Sequence, residues 1–326
     1  MQIGARTKKA GIIIAVVLVV LVAVSLLRDL AIKQVITVYG GHITGTTVTL
    51  DAFSLSLVRQ SVAITGFTMH HPPGFEKGMM IDLPRMSLDV DALGLLKGKL
   101  HVQSAALSLK EMVLIRNREG KLNVDSLKIA QKKPDQQKQE PKKPQKKMPM
   151  QIDLLTLELG KVVMKDYTRG TEPKVTVYDL NIKKTYKNIT SAEQLAALIM
   201  IEPMKSAGIT GAAIYGAAAV AGVGLLPAVA VVTLAGKDSS QQEFNSRPER
   251  VYAESLNLVN AIGKVKSEDK AGGLIKASVQ GTDMTITVEK KDRKTLVTVA
   301  ARRYMIPKPK EASGFLFRLA ERLKEK

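Results

Sequence analysis

The most restrictive feature of this sequence is a two-residue hydrophobic period that recurs through much of its first 190 residues. Val62 and Ile64 repeat at this spacing, as do Leu88 and Val90, while polar or small residues occupy the positions between them. Because neighbouring side chains of a strand point to opposite faces, such segments form strands that are apolar on one face only. The pattern predicts an antiparallel sheet over residues 29–190, with these four side chains on its apolar face.

An uncharged run at residues 10–27 follows three cations, Arg6, Lys8 and Lys9. Eighteen residues at ~1.5 Å each span ~27 Å, close to the thickness of the hydrocarbon core of a bilayer. The positive-inside rule then places the amino terminus in the cytoplasm and exports the rest. We predict a transmembrane signal anchor over residues 1–28; the alternative is a signal peptide cleaved near Ala23. The side chains expected inside the membrane include Ile12, Ile13, Ile14, Val17, Leu18 and Leu21.

Residues 131–147 have a composition that cannot build a core, with seven Lys and three Pro among seventeen residues. We predict a disordered basic loop inserted within the sheet. It is interpreted as a solvated linker, with contact to anionic headgroups as the alternative.

Residues 191–236 form a region rich in Gly and Ala, and no charge occurs within 206–236. Gly208, Ala212 and Gly216 recur every fourth residue, a spacing that lets helices approach closely in a membrane. One interpretation is a membrane-inserted segment, or a re-entrant hairpin broken near Pro227. The other is a buried helix of small residues inside the exported domain.

Residues 237–326 predict a small αβββα domain. Tyr252, Leu256 and Val259 form one stripe of a first helix, and a second helix begins at about Glu311. Three alternating strands lie between them, at Ile275/Ala277/Val279, Met284/Ile286/Val288 and Val297/Val299/Ala301.

The residues that carry chemistry are sparse. Cysteine is absent, and four His are scattered along the chain, so thiol catalysis is excluded and a metal centre is not expected. No phosphate-binding glycine loop or hydrolase motif occurs. The net charge of +19 favours anionic partners, but the basic segments lack interleaved aromatic residues for base stacking. We therefore expect a non-catalytic protein without cofactor or metal that meets an anionic phospholipid surface and no nucleic acid.

Six segments of the first half of the chain carry a family resemblance: 50–57 (LDAFSLSL), 62–67 (VAITGF), 72–75 (PPGF), 88–91 (LDVD), 95–100 (LLKGKL) and 116–123 (RNREGKLN). They resemble the AsmA-like envelope proteins of Gram-negative bacteria, whose amino-terminal module is similar to the chorein-type start of bridge-like lipid transfer proteins. The resemblance covers about residues 1–190, and His71 stands where the family commonly has Asn. The carboxy-terminal domain more weakly resembles small domains of unknown function on bacterial envelope lipoproteins.

The resemblance implies a sheet curled into an open trough whose apolar face shelters acyl chains, with Val62, Ile64, Leu88 and Val90 facing lipid. It also implies an inner-membrane protein with one amino-terminal anchor and its β module in the periplasm. Ten strands at ~4.8 Å give a trough of ~50 Å, too short to bridge two membranes alone. The expected function is phospholipid handling in envelope biogenesis. The alternative is a structural membrane scaffold whose carboxy-terminal domain docks an envelope protein partner without carrying lipid.

Overall fold

The structure, a computed structural model, describes residues 32–56, 58–91, 94, 99–131, 150–209 and 239–324. The predicted anchor with its six membrane-facing residues lies outside these ranges, as do nearly all of the basic loop and residues 210–238. Within the described ranges, no helix combines the length and the apolar character needed to cross a bilayer. The predictions for those three segments therefore stay predictions.

The described residues are mainly β and form two sheets, which confirms the predicted class. The first sheet has seven strands in the order β1-β3-β4-β5-β6-β7, with β2 paired to β3. It is accompanied by helix α1 (residues 32–44), a 3-10 turn (Asn123–Ser126), α2 (Lys128–Gln131) and α3 (Ala192–Ala207). The strands are β1 (Val48–Thr49), β2 (Ala52–Ser56), β3 (Ser61–His70), β4 (Met79–Val90), β5 (Leu100–Arg116), β6 (Met150–Asp166) and β7 (Lys174–Ile189).

The two longest strands, β5 and β6, pair in parallel, so the prediction of a purely antiparallel sheet is wrong at its centre. Their partners run from Leu100↔Met150 to Arg116↔Asp166. Parallel neighbours need a connection long enough to return along the strand, and residues 117–149 supply it. The segment that was interpreted as an insertion is thus part of this crossover.

The first sheet contains a crease, a line of backbone irregularities at Gly66, Lys110, Gly160 and Asn181. Gly66 and Asn181 have positive φ, and the β6–β7 register shifts around Gly160. In β3, β4, β5 and β6 the numbering of the buried side chains changes between odd and even at this line, although these side chains remain in one core. The pleat of these four strands therefore inverts while the same face of the sheet stays apolar. Buried positions before and after the crease are Leu107, Leu109 and then Met112, Leu114 in β5, and Leu157, Leu159 and then Val162, Met164 in β6.

Beyond the crease the sheet is buried on both faces, which corrects the prediction of a single apolar face. Val113, Ile115 and Val163 point away from the main core and form a second cluster with Val175 and Val177 of β7. Phe317 packs against this outer cluster from the carboxy-terminal helix. Strands buried on both faces have continuous apolar runs in place of alternation.

The inner face of the first sheet is covered, whereas the family resemblance implied an open trough. Ala197, Leu198, Met200, Ile201 and Met204 of α3 are buried in the same core as the strands. Ile36 and Ile43 of α1 also pack against this core. Helix α3, which the sequence analysis grouped with the Gly/Ala-rich region, is therefore part of the layer that covers the sheet.

The second sheet has six strands in the described residues, so the predicted αβββα order is incomplete. The three predicted strands and both predicted helices are present, with the predicted residues buried or packed against the core. Two polar strands and a two-residue strand were missed because they carry too few apolar residues to show alternation. The elements are β8 (Ser239–Phe244), α4 (Pro248–Ile262), β9 (Gly263–Asp269), β10 (Leu274–Val279), β11 (Thr282–Lys291), β12 (Lys294–Arg303), β13 (Ile306–Pro307) and α5 (Pro309–Lys324).

A substitution at Gly160 tests the crease, because a Cβ at this position would lie 2.4 Å from the carbonyl oxygen of Lys110. We expect Gly160→Ala to lower the free energy of unfolding by about 1–3 kcal/mol, since the central strands must separate to admit the methyl group. Urea unfolding of the full chain in detergent measures this. Gly170→Ala is the matched control, because nothing lies within 4 Å of its added Cβ. Equal unfolding midpoints for the two variants would contradict the close approach.

Candidate functional site: the inner face and the junction groove

The four predicted lipid-facing residues lie together on the inner face of the first sheet. Val62 pairs with Leu88 across β3 and β4, and Val62, Ile64 and Val90 are buried. Leu88 is half-buried and packs against the same core. The structure brings these side chains into one apolar surface, and their contact with lipid stays a prediction.

Helix α3 is held over the inner face by an ion pair as well as by apolar packing. Glu202 is buried, and its carboxylate accepts a hydrogen bond of 2.7 Å from Lys184 of β7. Burial, and then the charge of Glu202, raise the pKa of Tyr186 on the same strand. A buried carboxylate is costly unless it is paired, so this contact fixes where α3 meets the sheet edge.

A groove of about 1140 Å³ lies where the second sheet meets the outer face of the first, and we call it the junction groove. One wall is formed by strand residues around Lys161 and Lys165, and the other by one face of α5. Its lining mixes acidic, basic and apolar side chains, among them Glu111, Val177 and Phe317. The groove is therefore amphipathic and is shaped by both halves of the described chain.

Lys165 links the two halves at the end of this groove. Its ammonium group is buried and lies 3.1 Å from Glu321 of α5 and 3.4 Å from Glu76 in the turn before β4. The hydroxyl of Tyr167 donates to Glu76 at 2.9 Å, and burial together with this bond raises the pKa of Tyr167. The Lys165 ammonium also lies 5.8 Å from the ring centre of Phe317. The Lys165 ammonium is thus paired with one carboxylate from each half of the described chain, as a buried charge requires.

Helix α5 approaches β7 closely at Gly314. A Cβ there would lie 2.1 Å from the carbonyl oxygen of Val175, so no larger residue fits without moving the helix. Arg318, one turn later, donates to the carbonyl of Pro173 at 3.2 Å and to the carboxylate of Glu172. The carboxy-terminal helix is therefore seated on the first sheet through backbone contact as well as side chains.

Asn123, within one of the segments that carry the family resemblance, is fully buried, and both polar atoms of its side chain are hydrogen-bonded. Its Oδ1 accepts from the backbone amides of Ile115 and Val124, and its Nδ2 donates to the carbonyl of Val113. The same Nδ2 lies 2.8 Å from Nδ1 of His71. Because an amide nitrogen only donates, His71 accepts through Nδ1 and carries its proton on Nε2. Burial, with a smaller effect of Lys165, lowers the pKa of His71 to about 4.

His71 makes stability depend on pH. Its folded-state pKa lies below the ordinary value of 6.5, so its contribution is complete above pH 6.5 and is lost as the pH falls towards 4. Between pH 7 and pH 5 the free energy of unfolding should fall by up to about 2 kcal/mol because of this group. Urea unfolding at both pH values measures it. His71→Asn should remove this part of the pH dependence, and His42→Asn, on the exposed side of α1, should keep it. Identical pH profiles for the two variants would contradict the assignment.

The residues at the junction groove were missed by the sequence analysis. Lys165 follows the run Val162, Val163, Met164, and the absence of alternation there indicates a segment with both faces buried. Nothing in the local sequence shows that its partner is Glu321, more than 150 positions later. The described residues contain no cluster of three or more acidic or His side chains that could hold a metal ion.

Comparison with known proteins agrees with the fold and with the resemblance. A family model described as the AsmA family matches residues 6–267. The match extends well beyond the 190 residues on which the resemblance was based, through α3 and α4 into β9. No curated protein gives a match to this chain. Since the family model spans most of the sequence, the chain belongs to the AsmA family of envelope-associated proteins.

Proposed function

We propose that this protein handles phospholipid in envelope biogenesis through the inner face of its first sheet, without catalysing a reaction. In this proposal the amino-terminal segment anchors it in the bacterial inner membrane, and both sheets lie in the periplasm. The observation that carries the proposal is the continuous aliphatic inner face, lined by Val62, Ile64, Leu88 and Val90 and covered in the described structure by α1 and α3.

The dimensions of the inner face suit an acyl chain. β5 and β6 each have 17 residues, which at ~3.3 Å per residue gives ~55 Å. One leaflet of the hydrocarbon core is only ~15 Å thick, so a lipid tail needs less than half of this length. Acyl chains need apolar surface and few directional contacts, and the aliphatic lining meets that need.

Lipid access requires that α3 leave part of the face. Exposing its four large buried side chains to water would cost about 8 kcal/mol, at ~2 kcal/mol each. An entering acyl chain exchanges one apolar cover for another and avoids most of this cost. The ion pair between Glu202 and Lys184 lies at the edge of the sheet, where water can solvate both charges as the helix moves.

A structural scaffold is the second candidate, and the filled inner face is the observation that favours it. Under this alternative α1 and α3 are permanent core, and the second sheet docks an envelope protein partner. The two candidates differ in whether lipid ever contacts the inner face.

A photo-crosslinking residue at Leu88 separates them. We expect benzoyl-phenylalanine at this half-buried inner position to form phospholipid adducts in cells, detected by mass spectrometry of the purified full chain. The same residue at Ser87, the exposed neighbour on the opposite face, should form few. Adducts at position 88 that join only α1 or α3 would contradict lipid handling and support the scaffold.

A further inference from the structure

The hairpin between β12 and β13 has an unusual tip. Tyr304, Met305 and Ile306 are 92, 81 and 58% exposed, which makes them three consecutive large apolar side chains in solvent. Register pairs Arg303 with Ile306, so Tyr304 and Met305 are the two loop residues. The tip is a small convex apolar surface at the end of the second sheet.

The backbone conformation of this turn does not suit the two residues that form it. Tyr304 and Met305 have φ values of 48° and 69°, as the central residues of a type I′ turn require. Such turns favour Asn-Gly, and a bulky residue at positive φ is strained. The neighbouring hairpin turns of the same sheet use Gln280-Gly281 and Asp292-Arg293. Folding alone therefore favours different residues at 304 and 305.

The base of the hairpin is rigid. The guanidinium of Arg303 donates to the carbonyls of Gly281 and Gln280, each at 3.1 Å, and to the hydroxyl of Thr282 at 2.9 Å. These bonds join the β12–β13 turn to the adjacent β10–β11 turn. The apolar tip is thus held outward and cannot fold back to bury itself.

The charge beside the tip favours an anionic membrane surface as its partner. Residues 302–310 include four cations and no acidic residue. Arg303 lies 3.8 Å from Glu311, and Lys310 lies 4.4 Å from the ring centre of Tyr178. Arg302 and Lys308 lie beside the tip. Cations close to an anionic bilayer are attracted to its surface, and Tyr is enriched at the level of the headgroups. A protein partner would need about 800 Å² of matching surface, which a two-residue convex tip does not offer.

We propose that the β12–β13 hairpin inserts Tyr304, Met305 and Ile306 into the interfacial layer of a bilayer that contains anionic phospholipid. Arg302 and Lys308 lie beside the tip at the level of the headgroups, and the apolar side chains enter the outer acyl region. This contact holds the second sheet, and with it the junction groove, against a membrane. It does not depend on lipid entering the inner face of the first sheet.

Tryptophan fluorescence tests the insertion directly, because the full chain contains no Trp. The Tyr304→Trp variant of the full chain is reconstituted into vesicles whose phospholipids carry brominated acyl chains. We expect a blue shift and strong quenching by the brominated lipid when anionic phospholipid is present, and a smaller effect in zwitterionic vesicles. The control is Asp292→Trp, which places the reporter in the polar turn at the opposite end of β12; its emission should stay unshifted and unquenched.

A second variant separates the apolar pair from the fold of the hairpin. The double variant Tyr304→Asn/Met305→Gly supplies the residues that a type I′ turn favours, so its Tm should be unchanged or higher. Ile306→Trp serves as the fluorescent reporter, both in the otherwise unchanged chain and in the double variant. Quenching should be lost in the double variant. Equal quenching in both backgrounds, or no quenching at position 304, would overturn the proposal. A blue shift that does not depend on anionic lipid and grows with the protein-to-lipid ratio would also overturn it, because it would indicate contact between copies of the chain.

Discussion

The close approach of β5 and β6 at Gly160 is the constraint on which the rest of the structure depends. There the backbone of β6 lies against the carbonyl of Lys110, with no room for a side chain between them. The pleat inverts along this crease, and the inner face remains apolar along the whole length of the strands. Beyond the crease, valines and isoleucine also point outward, and this outer cluster provides the surface on which the carboxy-terminal helix packs. One backbone irregularity in the central strands thus supports two apolar layers.

The seat of α5 on the first sheet joins the two halves of the described chain. Gly314 permits backbone contact with Val175, while Lys165 is shared between Glu76 and Glu321. Phe317 lies between the outer cluster and two lysine ammonium groups. Because the Lys165 ammonium is buried, removing both Glu76 and Glu321 would leave an uncompensated buried charge. The tip of the β12–β13 hairpin is consequently held in a fixed position relative to the first sheet.

Sequence periodicity predicted the strands that have one apolar face. It missed strands that are polar on both faces, and it gave no information on how the strands pair. Val62, Ile64 and Val90 are buried as their alternation required, and the three apolar strands of the second sheet were placed correctly. β8 and β9 were missed because SSQQEF and GKVKSED carry almost no apolar residues. The parallel pairing of β5 and β6 was also missed, although their burial patterns are nearly identical when shifted by fifty residues. The junction groove joins residues far apart in sequence, and local patterns hold no information about such contacts.

The central claim is that the inner face of the first sheet exchanges its helical cover for phospholipid. Native mass spectrometry of the full chain, released from detergent under conditions that remove surface lipid, tests it most directly. We expect phospholipid adducts of defined stoichiometry on a folded protein, because an acyl chain under α3 is shielded from detergent. A folded chain that carries no retained phospholipid after extraction from its own membrane would contradict the claim and leave the scaffold as the better description.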